Sequence, residues 1–171
     1  MESLSTKQTG DAEPFVLCEV AGTTYAVRSH AVQQVQMIER VTPLPNALSA
    51  IEGVVHSKGQ VIPAMNLRAR FGFEKVPFDL RSRLLVVNVD GRVVGLLVDT
   101  AREFVRIPTE AIEAPPEGVA GLSTHYLEGI ATIKGRLVMV LKLAEVVEIA
   151  GSNGLTSEET NGVKNENSGN K

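Results

Sequence analysis

The chain has 171 residues, of which 43% are hydrophobic and only 4% aromatic, with no tryptophan, so its core must be built from aliphatic side chains. A formal net charge of −3 gives no long-range attraction to phosphates, which argues against a nucleic-acid partner. The sequence has no apolar run near the ~20 residues of a membrane span and no secretion signal, and its single cysteine, Cys18, cannot form an intrachain disulfide. We therefore expect a cytoplasmic protein without membrane insertion.

The two ends of the chain differ in composition from its middle. Residues 1–13 are polar and mixed, and residues 151–171 are rich in Asn, Gly, Ser and Glu. Neither segment can bury enough apolar surface to offset the entropy of ordering. The composition predicts a flexible N-terminus at 1–13, a folded domain at 14–150 and a disordered polar tail at 151–171.

Within the folded part, short runs of Val, Leu and Ile are separated by turn signals, a pattern typical of a mostly β fold. The turn signals are Ala21-Gly22, Lys58-Gly59, Asp90-Gly91 and Lys134-Gly135. The Asp-Gly pair suits the hairpin turn in which both central residues have positive φ. Helical signals are brief: Asn46 and Thr109 are candidate N-caps, and the segment around Val146 has an amphipathic pattern.

The sequence contains an internal repeat. Residues 51–67 align without a gap with residues 127–143, with Glu, Gly, Lys, Gly and the last Leu identical. Upstream, residues 15–27 similarly resemble residues 84–96, with Gly22 aligned with Gly91. A repeated order of hairpins implies two β lobes of like fold, and frequent turns favour small barrels, since closure removes exposed edges.

The repeat also leads to expectations about individual positions. The repeated glycines, such as Gly53 and Gly59, lie where strands begin or reverse, so their first role is backbone geometry. Val54 and Ile130 are expected to be buried in the core, and Pro77 with the charges of residues 74–82 indicates a connection between the lobes.

No catalytic or metal-binding pattern is visible. The histidines His30, His56 and His125 are isolated from one another, and no phosphate loop or nucleophile elbow is present. We therefore predict no enzyme activity, cofactor or metal, although an enzyme built on small barrels is one alternative. Arginines gather in the middle of the chain, which indicates solvated faces or the rim of a protein interface. They are Arg68, Arg70, Arg81, Arg83, Arg92, Arg102 and Arg106.

Four separated motifs, in this order, resemble the CheW family of chemotaxis coupling proteins. They are "FVLCEVAGTTYAVRSHAVQQV", "TPLPNALSAIEGVVHSKGQVIPAMNLRARFG", "VVNVDGRVVGLLVDTAREFVRIP" and "YLEGIATIKGRLVMVLKLAEVV". The resemblance implies a mostly β fold of two SH3-like five-stranded β-barrel lobes, with short helices and a shared core. It also implies a non-enzymatic adaptor that links a CheA-type histidine kinase to the cytoplasmic tips of methyl-accepting chemotaxis receptors.

Two alternatives for the function stay open beside that adaptor. One is a regulatory module of another two-component pathway, such as surface motility, with different partners. The other is a kinase-regulatory or receiver-linked protein, which is disfavoured because a receiver domain needs about 120 more residues of alternating βα pattern.

The resemblance also implies which residues bind the receptor or the kinase. Val32, Gln34 and Val35 occupy the family's V-x-E-I segment, Gly53 and Lys58-Gly59 match G-V-x-N-L-R-G, and Gly95 matches V-G-L-x-V-D. In this interpretation the receptor's helical tip lies in a groove between the lobes.

The chain departs from the family pattern at two of these positions. Lys58 stands where the family usually has Arg, and Gln34 where it usually has Glu. A lysine keeps the charge but loses the planar fork that binds a carboxylate through two hydrogen bonds. We hypothesise that the fold is standard for the family and that the set of partners has diverged.

Overall fold

The computed structural model describes residues 11–116 and 122–148. In this part of the chain there are ten strands, with a few short helical segments between some of them. The strands are β1 (Ala12–Val20), β2 (Thr23–Arg28), β3 (Val32–Met37), β4 (Ile51–Ser57), β5 (Gln60–Asn66), β6 (Arg83–Val89), β7 (Arg92–Val98), β8 (Thr100–Pro108), β9 (Leu127–Ile133) and β10 (Arg136–Leu141). The helices are α1 (Leu67–Arg70) and α2 (Leu143–Val146), with 3₁₀ turns at Ser29–Ala31, Thr109–Ala111 and Leu122–Tyr126.

The strands form two five-stranded sheets, which confirms the predicted number of lobes and strands. Lobe 1 has the strand order β8-β1-β2-β10-β9, and lobe 2 has the order β3-β6-β7-β5-β4. In each sheet one central pair, β2 with β10 or β5 with β7, is parallel, and the other pairs are antiparallel. The sheets resemble SH3-like barrels but are not closed, because the outermost strands of each order do not pair with each other.

Each lobe draws strands from both halves of the sequence repeat. Lobe 1 combines β1 and β2 with β8, β9 and β10, whereas lobe 2 combines β3, β4 and β5 with β6 and β7. The chain crosses between the lobes at Ser29–Ala31 and again at Asp99. The prediction that residues 74–82 connect the lobes is therefore wrong. This segment lies between α1, which follows β5, and β6, and both β5 and β6 belong to lobe 2. The repeat shows that two units are alike, but not which strands pair.

The largest apolar cluster lies between the lobes and is the shared core. Along β1, Val16 and Cys18 face this interlobe core, whereas Phe15 and Leu17 face the interior of lobe 1. On β6, Leu85 and Val87 face the interlobe core while Leu84 and Val86 face the interior of lobe 2. Since the inner strands are buried on both faces, their sequences are continuous apolar runs instead of alternating ones.

The inward-facing residues of β4 and β9 differ from the prediction. Val54 and Ile130 are only half-buried, whereas their neighbours Val55 and Ala131 are buried in the lobe interiors. Side chains alternate between the two faces of a strand. A prediction that is shifted by one residue along the strand therefore names the outward-facing residues as the buried ones.

The segment boundaries also differ in detail. β1 begins at Ala12 and pairs it with Pro108, so the strand extends two residues upstream of the expected domain. Asn46 lies in a turn with φ of 54° and begins no helix. Asn66 is the N-cap instead, because its side chain accepts a hydrogen bond from the Ala69 backbone N–H.

The polar tail predicted at 151–171 lies outside the described residues, as does most of the N-terminal segment. Across residues 11–116 and 122–148, no helix has the length and apolar character needed to cross a bilayer.

Candidate partner-binding surfaces

All the predicted binding residues belong to lobe 2, but they occupy separate places in its sheet. Strands β3 and β4, which carry most of them, stand at opposite ends of the strand order, and β7 is central. Val32, Gln34 and Val35 lie on β3, Gly53 on β4, Lys58 and Gly59 in the β4–β5 turn, and Gly95 on β7. The structure therefore places them in one lobe without gathering them into one cluster.

Strand β3 presents two different faces. Val32 and Val35 are half-buried and pack against the rim of the interlobe core. Gln34 pairs with Val86, a residue of the lobe 2 interior, and its Oε1 atom is buried without a hydrogen-bond partner among the described residues. A glutamate here would bury an unpaired charge, which costs more than an unpaired amide oxygen. Gln34 therefore suits the surroundings that this chain provides.

The two buried glycines among the predicted residues have clear backbone roles. Gly53 has φ of 151°, and a Cβ atom there would lie 2.0 Å from the Thr42 carbonyl oxygen. A Cβ atom at Gly95 would lie 2.6 Å from Leu84 Cδ1. These contacts explain both glycines without a partner, and a direct role in binding stays a prediction.

Lys58 and Gly59 form the tip of the β4–β5 hairpin and are exposed. Both have positive φ, 48° and 75°, as a two-residue type I′ turn requires. Lys134 and Gly135 form the matching tip in lobe 1, with φ of 50° and 76°. Lys58 thus points into solvent as predicted for a contact residue, and Lys134 is its structural counterpart.

Phe104 on β8 is a candidate contact residue that the sequence reasoning missed. β8 corresponds to β3 in the repeat, and both are edge strands with a register irregularity at corresponding residues, Gln33 and Arg102. Phe104 corresponds to Val35 and pairs with Val16 of the interlobe core, yet its side chain is 71% exposed. Extending the sequence repeat from β1 and β2 to the next strand would have shown this correspondence.

Among the arginines predicted to lie on solvated faces or an interface rim, Arg68 and Arg70 are half-buried and join separate elements. Arg68 forms an ion pair with Asp99. Arg70 donates from Nε to the Val146 carbonyl oxygen at 2.9 Å, and its guanidinium carbon lies 5.1 Å from the centre of the Tyr126 ring. Arg70 thereby joins the end of α1 to the last carbonyl groups of α2, where a cation is favourable.

The described residues contain no arrangement typical of an enzyme centre. Across residues 11–116 and 122–148, no three His, Cys, Asp or Glu side chains lie close enough to hold a metal ion. Burial, and then the charges of Asp99 and Glu19, raise the pKa of Cys18 to about 12, so its thiol stays protonated and is a poor nucleophile. The fold is that of a small module of two intertwined β lobes, each of which carries exposed hydrophobic residues.

Comparison with known proteins identifies the family. The model of the CheW-like domain matches residues 14–150. The chemotaxis protein CheW of Klebsiella aerogenes is 27% identical over 135 residues, which cover 79% of this chain and 81% of that protein. Protein FrzA of Myxococcus xanthus is 28% identical over 140 residues, covering 81% and 87%. The crystal structure of the scaffolding protein TtCheW from Thermoanaerobacter tengcongensis matches with a TM-score of 0.76 and 29% identity, over 82% of this chain and 96% of that one.

The chain belongs to the CheW-like family. Members of this family are coupling or scaffolding proteins and not enzymes, which confirms the resemblance and the absence of an enzyme activity inferred from the sequence.

Proposed function

We propose that this protein is a cytoplasmic adaptor that couples a CheA-type histidine kinase to methyl-accepting chemotaxis receptors in a signalling array. The observation that carries the proposal is the match of residues 14–150 to the CheW-like domain. The names of the relatives, chemotaxis protein CheW and scaffolding protein TtCheW, support a role in coupling. The adaptor binds two partners at once, so that binding one partner raises the effective concentration of the other.

We further propose that the receptor contacts hydrophobic residues of the edge strands β3 and β8. Val32 and Val35 of lobe 2 lie on the rim of the interlobe core, and Phe104 of lobe 1, on the corresponding strand, pairs with Val16 of that core and is exposed. An apolar helix face packs well against such a rim, and an exposed aromatic residue is a common anchor of a protein interface. We assign the receptor's helical tip to these edge strands, and we assign Lys58, in the β4–β5 turn at the other end of the lobe 2 strand order, to a separate contact.

The identity of the exposed residue at position 58 supports a diverged set of partners, whereas Gln34 suits its buried surroundings. Gln34 and Lys58 stand where the family pattern has Glu and Arg, while the hairpin glycines are kept. The similarity to FrzA favours, as the alternative, a regulatory module of a pathway other than the main chemotaxis one. Both forms of the proposal share the adaptor mechanism and differ only in the partners.

The first test is a pull-down from native cell extract with the purified chain, with captured proteins identified by mass spectrometry. The wild type is expected to recover a CheA-type kinase and a receptor. Lys58→Glu should lose the receptor, and the matched variant Lys134→Glu, with the same turn geometry on lobe 1, should retain it. Recovery of neither partner by the wild type would remove the case for an adaptor.

The second comparison tests the rim surface. Phe104→Ser should weaken receptor recovery at least tenfold, whereas Leu137→Ser, which alters an exposed side chain elsewhere on lobe 1, should not. Restoring the family residue at the exposed hairpin tip with Lys58→Arg should change which receptors are recovered. An unchanged set of receptors would contradict the proposed divergence.

A further inference from the structure

Asp99 is the single residue that joins the two lobes at the second crossing. It follows β7 of lobe 2 and precedes β8 of lobe 1. Its backbone N–H donates to the Glu19 carbonyl oxygen at 2.9 Å, and its Oδ2 atom accepts from the Ala21 N–H at 2.9 Å. The backbone and the carboxylate of Asp99 are thus both attached to the β1–β2 hairpin of lobe 1.

The same carboxylate is bound from the other side by Arg68 of α1. Arg68 Nε lies 2.9 Å from Oδ1, and its second nitrogen, Nη2, lies 2.7 Å from Oδ2. This two-point geometry is the strong form of an arginine–carboxylate pair, and both side chains are more than two-thirds buried. α1 follows β5 directly, so this ion pair ties lobe 2 to lobe 1.

The pair has no counterpart at the corresponding place in the repeat. The repeat aligns Asp99 with His30 and Arg68 with Ala144, and both of these are exposed. Beside the first crossing, Arg28 pairs with Glu13 and Glu128, which lie on strands of lobe 1. Those ion pairs therefore hold one lobe together, whereas the Arg68–Asp99 pair acts between lobes.

We infer that the Arg68–Asp99 ion pair is a fastener between the lobes that fixes the angle at which they meet. Arg68 and Asp99 are positioning residues: they keep the rim surfaces on β3 and β8 in a constant relation without contacting a partner themselves. Only this consequence for binding rests on the proposed function. The fastener itself is a property of the unbound protein.

Cys18 provides a reporter of lobe separation within the natural sequence. It is the only cysteine, it is 1% exposed, and it lies in the interlobe core. Alkylation of this thiol requires the core to open, so its rate measures how often the lobes separate. No label has to be introduced.

The test compares the rate of Cys18 alkylation by iodoacetamide in wild type and Arg68→Gln. Loss of the fastener should raise the rate at least tenfold beyond the increase that the change in global unfolding free energy, measured in urea, accounts for. Removing Arg68 also leaves the Asp99 carboxylate uncompensated near the thiol, and a nearby negative charge disfavours the thiolate. This electrostatic effect slows alkylation, so a faster reaction reports opening.

Two further variants make the result specific. Lys75→Gln removes a surface ion pair with Glu52, at 3.1 Å, that lies within lobe 2, and it should leave the alkylation rate unchanged. Arg68→Lys keeps the charge but loses the two-point geometry, so it should give an intermediate alkylation rate. If Arg68→Gln fails to fold, Arg68→Lys is the variant to compare with wild type.

The inference would be overturned if the alkylation rate of the Arg68 variants rose only as much as the change in their global free energy of unfolding accounts for. The assay contains no partner protein, so its outcome is independent of the pull-down that tests the adaptor function.

Discussion

At the scale of single residues, corresponding glycines of the repeat allow backbone contacts of different tightness. Before β4, Thr42 exchanges two backbone hydrogen bonds with Val54, at 2.8 and 2.9 Å, directly beside Gly53. Before β9, Glu113 exchanges two such bonds with Ile130, both at 2.8 Å, beside Gly129. A Cβ atom at Gly129 would lie 2.6 Å from the Glu113 oxygen, which is less severe than the contact at Gly53. These glycines let a preceding segment pass against the outer strand of each lobe.

Gly53→Ala is therefore expected to destabilise the protein strongly. The added methyl group would lie 2.0 Å from the Thr42 carbonyl oxygen, at a backbone φ that only glycine adopts easily, so the Thr42 segment must move and lose its hydrogen bonds. We expect a loss of about 3 kcal/mol or more in the free energy of unfolding, measured in urea. Gly59→Ala, which meets no atom within 4 Å, should cost only about 1 kcal/mol for its positive φ. Equal losses in the two variants would refute this explanation of Gly53.

What the sequence could predict about residues depended on whether the property was local. The backbone role of Gly53 and the exposure of Lys58 follow from turn chemistry, which neighbouring residues determine. The prediction that Val54 is buried was wrong, because which face of a strand is buried depends on the register of that strand against its neighbours. The pairing of Arg68 with Asp99, across 31 positions of sequence, depends on the crossing between lobes and has no local signal.

At the scale of elements, the four two-residue hairpins are the most regular feature of the fold. In each of them both central residues have positive φ, between 48° and 82°, as the type I′ turn requires. All four turn positions were predictable because the Gly at the second position is a strong signal. Ala or Lys nevertheless stands at the first position in three of them, where Asn would adopt the left-handed conformation more easily.

Lys134→Asn should consequently stabilise the protein. Asn tolerates positive φ better than Lys, and the exposed tip of the β9–β10 hairpin loses no packing. We expect a gain of about 0.5 kcal/mol, seen as a rise of roughly 1–2 °C in the melting temperature for a domain of this size. Thr132→Asn, at an exposed position inside β9, should give no gain because Asn is disfavoured in strands. A gain of the same size from Thr132→Asn would refute the turn-based explanation.

The helices were less predictable than the hairpins. The Asn46 signal failed because its segment forms turns, and the Thr109 hydroxyl donates to the Asp11 carbonyl oxygen at 2.8 Å instead of capping a helix. α1 and α2 are each only four residues long, too short to be stable alone. Packing against the interlobe core stabilises them, through residues such as Leu67, Leu143 and Val146, and sequence periodicity cannot show such packing.

At the scale of the whole molecule, the exchange of strands between the halves makes the two lobes a single folding unit. The sequence showed that the chain contains two similar units, and it showed the composition of the core. It could not show that each unit places strands in both sheets, because strand pairing over long sequence separations leaves no mark on local pattern. The connecting segment 71–82 consequently joins two elements of lobe 2, α1 and β6, although its first residue, Phe71, packs in the interlobe core.

This arrangement predicts that the halves of the repeat cannot fold separately. A fragment of residues 1–78 contains β1 to β5, which supply two strands of lobe 1 and three of lobe 2. Neither incomplete sheet can cover the apolar face that the interlobe core buries. Each of the fragments 1–78 and 79–171 should therefore show an unfolded far-ultraviolet circular dichroism spectrum alone, and an equimolar mixture should regain the spectrum of the intact chain. The control is the intact protein with a protease site inserted between Val76 and Phe78 and cleaved after folding, whose two pieces should co-elute in gel filtration. A cooperative thermal transition of either fragment alone would show that a lobe can assemble from one half of the repeat, and the exchanged topology would then not be required for folding.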